Sequence, residues 1–409
     1  MNIHNTIHRI KFMEQLLDEI QEINQNTPEI IADDLEVKEK IRILENYLDS
    51  GQWLKDYKYD EEGKLPADIK RGVLSEDALY NLLTDVKWNY NIKEHIKTRR
   101  YAKMKKVNLG TTGLQVPAIA VGCMRLNSLD LTNAAKHIEN AIAHDVSFFD
   151  HADIYGRGEC EVLFGKALKM TEIKREDIFV QSKCGIIPGA MFDQSKEHII
   201  KSVDQILKRL DMEYLDSLLL HRPDALVEPE EVAEAFDELE SAGKVRYFGV
   251  SNMKPMQIEL LKKCVKQPLV ANQLQVSVAH SSMIGNGTEV NMLTNGAIDR
   301  DGSILDYCRV KDITIQAWSP FQYGMIEGAF FDNNDFAALN MKLIEIGEKY
   351  DVSATTMAVA WLLRHPANMQ VLAGTMNADR FNEICKACDV QLSRADWYQI
   401  YLAAGNMLP

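Results

Sequence analysis

Residues 215–252, LDSLLLHRPDALVEPEEVAEAFDELESAGKVRYFGVSN, decide the fold. They open on an apolar run ending at His221, pass through Val232, Phe236 and Leu239 at helical spacing, stop at Gly243 and resume as RYFGVSN. A buried strand, a helix with one apolar face and a second buried strand predict a β–α–β unit. The same alternation extends in both directions. Strand-like runs occur at AIAVGCM, SFFDHAD, IFVQSKCG, LDSLLLH, RYFGVSN, LVANQLQ, ITIQAWS and MQVLAGT, eight in all. Ser195 is placed to cap an intervening helix whose apolar face is Ile199, Ile200, Val203, Ile206, Leu207 and Leu210. Eight such units in about 300 residues predict a parallel (β/α)8 TIM barrel, an α/β fold. A doubly wound sheet fits less well: no strand is followed by GxGxxG, and GRGECE at 156–161 lacks the third glycine. The stretch VNLGTTGLQVPAIAVG adds a hairpin, turning at TTG, before the first barrel strand.

Upstream, the pattern changes to a small, mainly helical N-terminal domain. Ile7, Ile10, Met13, Leu17 and Ile20 mark one buried helix face, and a second helix fits residues 35–49 with Gly51 as its stop. After the turn-rich KYDEEGKLP, Ser75 caps a third helix with Glu76 and Asp77 in its first turn. Asp60, Glu61 and Glu62 lack the alternating ligand positions of a calcium loop and read as an exposed acidic turn. Trp53, Tyr57, Tyr59 and Tyr80 supply either a small core or a binding surface, with core favoured. Residues 1–90 carry 11 basic and 19 acidic side chains, whereas KEHIKTRRYAKMKK at 93–106 holds seven basic groups and one glutamate. The expected division is a helical domain at 1–90, a basic linker at 91–104 and the barrel at 105–409. The connector reads as a solvated linker, since one aromatic residue and acidic surroundings do not make a nucleic-acid patch.

A net charge of -14 over 409 residues argues against nucleic acid and anionic lipid as partners and favours small molecules. The first twenty residues place acids where a signal peptide is apolar, and no run is long enough to span a bilayer. A cytoplasmic protein is expected. Seven cysteines, an odd number, read as reduced thiols. Cys385 and Cys388 form a CKAC that lacks a second pair or a nearby histidine, so they are expected to be packed helix thiols, with no metal bound.

Three successive strand ends carry the candidate chemistry: Asp150 and Tyr155 in FFDHADIYG, Lys183 in IFVQSKCG, and His221 in LDSLLLHRPD. Reducing a carbonyl requires a hydride at carbon and a proton at oxygen. A free phenol, with a pKa of about 10, needs help to give up that proton near neutrality. A nearby ammonium favours the phenolate, a carboxylate holds the ammonium charged, and an imidazole can donate to the carbonyl oxygen. A barrel gathers such strand ends at one mouth.

From about residue 105 to 409 the chain resembles the aldo-keto reductases, in particular a bacterial branch similar through IQAWSPFQYG and the closing LAAGNMLP. FFDHADIYG resembles that family's DxAxxYG segment, which implies Tyr155 as general acid and Asp150 as its supporting carboxylate. Lys183 and His221 match the strand-end lysine and the substrate-orienting histidine. The resemblance further implies a nicotinamide cofactor, with Ser251, Asn252 and Gln273 recognising its carboxamide and Trp318 stacking on its ring. VLAGTMNADRF is similar to the adenosine-phosphate segment, which implies Gly374, Thr375 and Arg380 there and NADPH, carrying a 2'-phosphate, as the hydride source. Gly374 stands where relatives often carry lysine, and Ile384 where many carry asparagine. GQWLKDYKYDEEGKLPADIKRGVLSEDALYNLL resembles a small bacterial domain of unknown function.

The function these features predict is NADPH-dependent reduction of aldehyde or ketone carbonyls to alcohols. Two alternatives stand beside it: a nicotinamide-binding regulatory subunit, and an adaptor that binds a protein partner through residues 1–90. Segments 279–302 and 322–334 are the expected pocket loops and hold no clamp for a sugar phosphate.

Overall fold

Two hydrophobic cores with no shared member organise the chain, one in a unit spanning Met1–Arg100 and one in a unit spanning Tyr101–Pro409. The computed structural model describes residues 3–86, apart from 33, 50, 51, 67, 76, 77 and 84, and residues 104–408 apart from 326. Most of the basic connector, Gly51, Glu76 and Asp77 lie outside the described residues.

The first unit contains helices Ile3–Asn26, Leu35–Asp49 and Gln52–Glu61, and residues 78–83 are also helical. Ile10, Leu17 and Ile20 are buried on the first helix, as their spacing predicts. Ser75 accepts the backbone N–H of Ala78 at 3.3 Å, a cap on the last helix. One expectation fails: KYDEEGKLP does not begin a turn, because helix Gln52–Glu61 runs through its first four residues and the reversal comes at Gly63, with φ +66°. Asp60 is consequently paired with Arg71 at 2.7 Å instead of sitting in a free acidic turn. Trp53 is core, its indole N–H donating to the Val73 carbonyl at 2.9 Å and its ring stacked on Tyr57. Tyr80 is exposed. Asp56, buried on the third helix, accepts both arms of the Arg9 fork and the Tyr47 hydroxyl, which ties the three helices together.

In the second unit, β1 (Lys106–Asn108) and β2 (Gln115–Pro117) form the predicted antiparallel hairpin. Strands β3 (Ile119–Gly122), β4 (Phe148–Asp150) and β5 (Phe179–Cys184) follow, then a small hairpin of β6 (Ile186–Ile187) and β7 (Met191–Phe192). The remaining strands are β8 (Leu215–Leu220), β9 (Val245–Ser251), β10 (Leu269–Gln275), β11 (Thr314–Trp318) and β12 (Met369–Ala373). β3, β4, β5 and β8 to β12 close into one parallel barrel in chain order, with β12 pairing back onto β3. All eight predicted strand runs are barrel strands.

The helices dock as their sequences dictate. Ser195 accepts the His198 N–H and starts helix Lys196–Leu210, which buries Ile199, Val203, Ile206, Leu207 and Leu210 against the barrel. Pro229 begins helix Pro229–Ser241, where its missing N–H costs nothing, and Gly243 with φ +71° turns the chain into β9. Cys385 is buried in helix Ala378–Lys386, whereas Cys388 lies in the following 3-10 turn with its sulfur 3.3 Å from that of Met104. No group of His, Cys, Asp and Glu among the described residues is arranged to hold a metal ion. No helix among them is long and apolar enough to cross a membrane.

The barrel interior holds a polar layer. Asp150 is in register with Gln181 and Gln181 with Ser217, while Gln273 is in register with Gln316 and Gln316 with Gln370. Gln316 accepts from the amides of Gln181 (2.8 Å) and Gln273 (3.2 Å) and donates to Gln370 (2.9 Å); Ser217 donates to Gln181 at 2.9 Å, and Gln370 donates to the Pro117 carbonyl at 2.8 Å. Satisfied in this way, buried amides that are otherwise costly rigidify the floor of the barrel.

Candidate active site

The C-terminal ends of β4, β5 and β8 and the turn after β4 bring Asp150, Tyr155, Lys183 and His221 together. Tyr155 opens a 3-10 turn, Tyr155–Gly158, in which Gly156 and Gly158 have φ of +55° and +92°. A side chain at Gly158 would meet the Arg209 side chain at 2.7 Å, so this sharp return requires glycine for both space and conformation. Lys183 is fully buried, and its three N–H bonds reach Asp150 Oδ2 (2.8 Å), the His151 carbonyl (2.7 Å) and the Tyr155 hydroxyl oxygen (3.0 Å). An ammonium has three donors, and all three are used. The tyrosine oxygen therefore accepts from Lys183, and its own proton is directed elsewhere. Asp150 Oδ1 accepts the side-chain amides of Gln181 (2.6 Å) and Gln273 (3.0 Å) from the polar layer, which fixes the carboxylate beneath the lysine.

These contacts set the protonation states. Burial alone pushes the Lys183 ammonium toward neutrality, but Asp150 and Tyr155 outweigh it and hold the amine above the ordinary lysine range. Burial pushes the Tyr155 phenol above its ordinary value, while Lys183 opposes that rise. The phenol is thus protonated at neutral pH, with a cation ready to stabilise its anion. His221 is pushed well below the usual histidine range by burial, then by the charges of Lys183 and Arg222, so its ring is neutral. That ring lies edge-on to Tyr155 with centroids 6.1 Å apart, and its buried Nδ1 has no partner among the described residues. His151, next to Asp150 in the chain, is also held neutral, down to about 3, by burial and by Lys183, and its ring packs edge-on against Phe164.

A hydrogen-bonded line extends from this group. Trp318 donates its indole N–H to Asn252 Oδ1 (3.2 Å), Asn252 donates to Ser251 Oγ (2.7 Å), and Ser251 donates to the Gln273 carbonyl (3.0 Å). Asn252 adopts φ +57°, in the left-handed region that asparagine tolerates better than most residues. The Gln273 side-chain nitrogen is engaged with Asp150 and Gln316, and its backbone carbonyl accepts from the Ser251 hydroxyl and the Asn252 N–H, which leaves its side-chain oxygen for a further hydrogen bond. Gly374, Thr375 and Arg380 form a separate cluster at the β12 end of the same mouth. A Cβ on Gly122 would lie 3.4 Å from Gly374 Cα, and one on Gly374 would lie 3.3 Å from Arg125 Nη1. Thr375 Oγ1 accepts the Asn377 N–H, Asn377 caps helix Ala378–Lys386, and Arg380 is exposed with no ion pair among the described residues. A close-packed glycine backbone, a helix N-terminus and an uncommitted guanidinium suit a nucleotide phosphate. Sequence reasoning missed Arg125, whose guanidinium donates to the Gly374 carbonyl at 3.2 Å, and it missed the supporting glutamines. For Gln316 and Gln370 the signal was a polar residue inside an otherwise apolar run.

The aldo/keto reductase family model matches residues 118–402, and a second model, a domain of unknown function (DUF4298), matches residues 10–94. An uncharacterized oxidoreductase of Bacillus subtilis is 36% identical over 313 residues, covering 73% of this chain and 98% of that protein. A 6-dehydroglucose reductase of Agrobacterium fabrum is 32% identical over 305 residues, covering 71% and 95%. A crystal structure of a thermostable aldo-keto reductase with the inhibitor epalrestat superposes with a TM-score of 0.58 at 25% identity, over 73% of this chain and all of that one. With a closed parallel barrel and a family match over most of its length, the chain belongs to the aldo/keto reductase family.

Proposed function

We propose that the chain reduces aldehyde or ketone carbonyls to alcohols with NADPH as hydride donor. The observation that carries this reading is the saturated Lys183 ammonium, which holds Tyr155 by its oxygen and leaves the phenolic proton to be given away. NADPH supplies the hydride when bound. Trp318 offers a flat face for the nicotinamide, Ser251, Asn252 and the Gln273 side-chain oxygen offer polar atoms for its carboxamide, and Gly374, Thr375 and Arg380 would hold the adenosine phosphate. His221, neutral, donates to the substrate carbonyl oxygen and orients it beside the Tyr155 hydroxyl. Tyr155 then passes its proton to that oxygen, and Lys183 stabilises the phenolate left behind. Asp150, held by Gln181 and Gln273, keeps Lys183 charged through the cycle. Seven free thiols support a reducing, cytoplasmic setting for this activity. The direct test is single-turnover oxidation of bound NADPH by a panel of carbonyl compounds.

The cofactor assignment has its own expected result. Arg380→Ala weakens NADPH binding by about 10-fold to 100-fold, the scale of a lost charge-assisted bond, and affects NADH far less because it lacks the 2'-phosphate. Fluorescence-quenching titrations with both nucleotides decide this; equal losses for the two would mean that Arg380 supports the fold or the adenine.

We assign residues 1–90 a role outside the hydride step, in partner choice, stability or access to the pocket. All proposed site residues and the whole barrel core lie downstream of residue 103. A chain beginning at Lys103 is therefore expected to fold, bind NADPH and complete a single turnover with the same carbonyl compound. Retained NADPH binding with a lost hydride step would show that the N-terminal domain orders part of the active site.

A further inference from the structure

The geometry points to Arg222 as a specificity determinant that selects carbonyl substrates bearing a carboxylate. This inference rests on the reductase reading and names the substrate class for that same site. Arg222 follows His221 at the end of β8, and its backbone is held firmly. The His221 N–H donates to the Cys184 carbonyl (2.8 Å), the buried Gln194 side chain donates to the Arg222 carbonyl (2.6 Å), and Pro223 restricts the backbone of Arg222, the residue before it. The side chain is half-buried over the mouth. Its guanidinium carbon lies 6.0 Å from the Trp318 ring centroid, and among the described residues Nη2 reaches only the Met325 sulfur, at 3.6 Å, a weak acceptor. Met325 belongs to the segment 322–334 expected to shape the pocket.

The surroundings leave this cation uncompensated. Arg9, Arg71, Arg175 and Arg209 each rest on a carboxylate, at 2.6 to 2.7 Å. Arg222 has no such partner among the described residues. The nearest acid in sequence, Asp224, is occupied by the backbone N–H groups of Gln194 (3.0 Å) and Leu226 (2.8 Å). Burial accordingly pushes the Arg222 guanidinium down, with no carboxylate to offset it. A partly desolvated, planar fork next to the residue that orients the reacting carbonyl matches a carboxylate a few atoms from that carbonyl, which it can take up through two parallel N–H···O bonds. A neutral substrate leaves the fork facing a thioether and an indole.

The test compares 4-oxobutanoate with its methyl ester, which carry the same reacting aldehyde, using the full-length protein and NADPH. The unsubstituted protein is expected to prefer the acid, and Arg222→Met to lower the acid-to-ester ratio of kcat/KM by about 10-fold to 100-fold, the scale of a lost charged hydrogen bond, mainly through KM. Arg222→Lys, which keeps the charge and loses the fork, should retain part of that preference. The NADPH dissociation constant should not move. An acid-to-ester ratio that Arg222→Met leaves in place, or a loss confined to NADPH affinity, overturns this assignment alone. Turnover of neither compound by the unsubstituted protein overturns the reductase reading and the assignment with it.

Discussion

Tyr155→Phe is expected to slow single-turnover carbonyl reduction by about 10²-fold to 10⁴-fold, the contribution of a positioned general acid. The phenyl ring keeps the packing of Tyr155 and its edge-on relation to His221, so the loss is confined to one oxygen. That oxygen is the proton source in the proposed reaction and the third acceptor of the Lys183 ammonium. NADPH affinity should change little, because the residues assigned to the cofactor sit on β9, β10, β11 and the β12 end. Reduction at a near-normal rate in this variant would remove Tyr155 from the mechanism.

Lys183→Met is expected to cost both activity and stability. Breaking a buried ion pair from one side typically costs about 3 to 5 kcal/mol, and here Asp150 would be left in the barrel with only two amides for company. The stabilisation contributed by Lys183 has a defined pH window. Its folded-state pKa is raised, so this contribution is fully present below the ordinary lysine value of about 10.4 and is lost as pH rises through the higher folded value. The wild-type protein and the variant should therefore differ in unfolding free energy throughout the neutral range. The catalytic effect has a sign as well. Burial raises the Tyr155 phenol and Lys183 opposes that rise, so removing the lysine moves the phenol further up. Alcohol oxidation, the reverse direction, needs the phenolate, and its rate should rise at higher pH in Lys183→Met than in the wild type. A pH–rate profile with an unshifted inflection and a full rate would count against the role given to Lys183.

The barrel was legible because buried parallel strands read as short apolar runs, and the runs carrying Asp150, Lys183 and His221 reach those polar residues where the strands reach the mouth. From that rule these candidate residues could be placed at one mouth before any distance was known. The polar layer under it could not. Gln316 and Gln370 each interrupt an apolar run, Gln181 and Gln273 stand beside the polar Ser182 and Asn272, and only the strand register shows that the four form one network. For the same reason Gln273 was proposed as a cofactor residue but not seen as a support for Asp150, a contact 123 positions away in sequence. Helix Gln52–Glu61 escaped because its last turn is written in residues that also favour reversals, and its stabilising contacts, Arg9 to Asp56 and Arg71 to Asp60, come from other segments. Arg222 gave no signal in sequence, since an arginine after a histidine says nothing about whether a carboxylate will reach it.

The central claim is that the Lys183–Tyr155 arrangement delivers a proton to a carbonyl oxygen as hydride arrives. Stopped-flow oxidation of NADPH bound to the full-length protein, mixed with aldehydes and ketones under single-turnover conditions, tests it most directly. The predicted result is loss of the bound-NADPH signal with one alcohol formed per cofactor oxidised, abolished or strongly slowed in Tyr155→Phe. Tight NADPH binding that no carbonyl compound discharges, identical in the wild type and Tyr155→Phe, would contradict the claim and point to a nicotinamide-binding protein that does not reduce carbonyls.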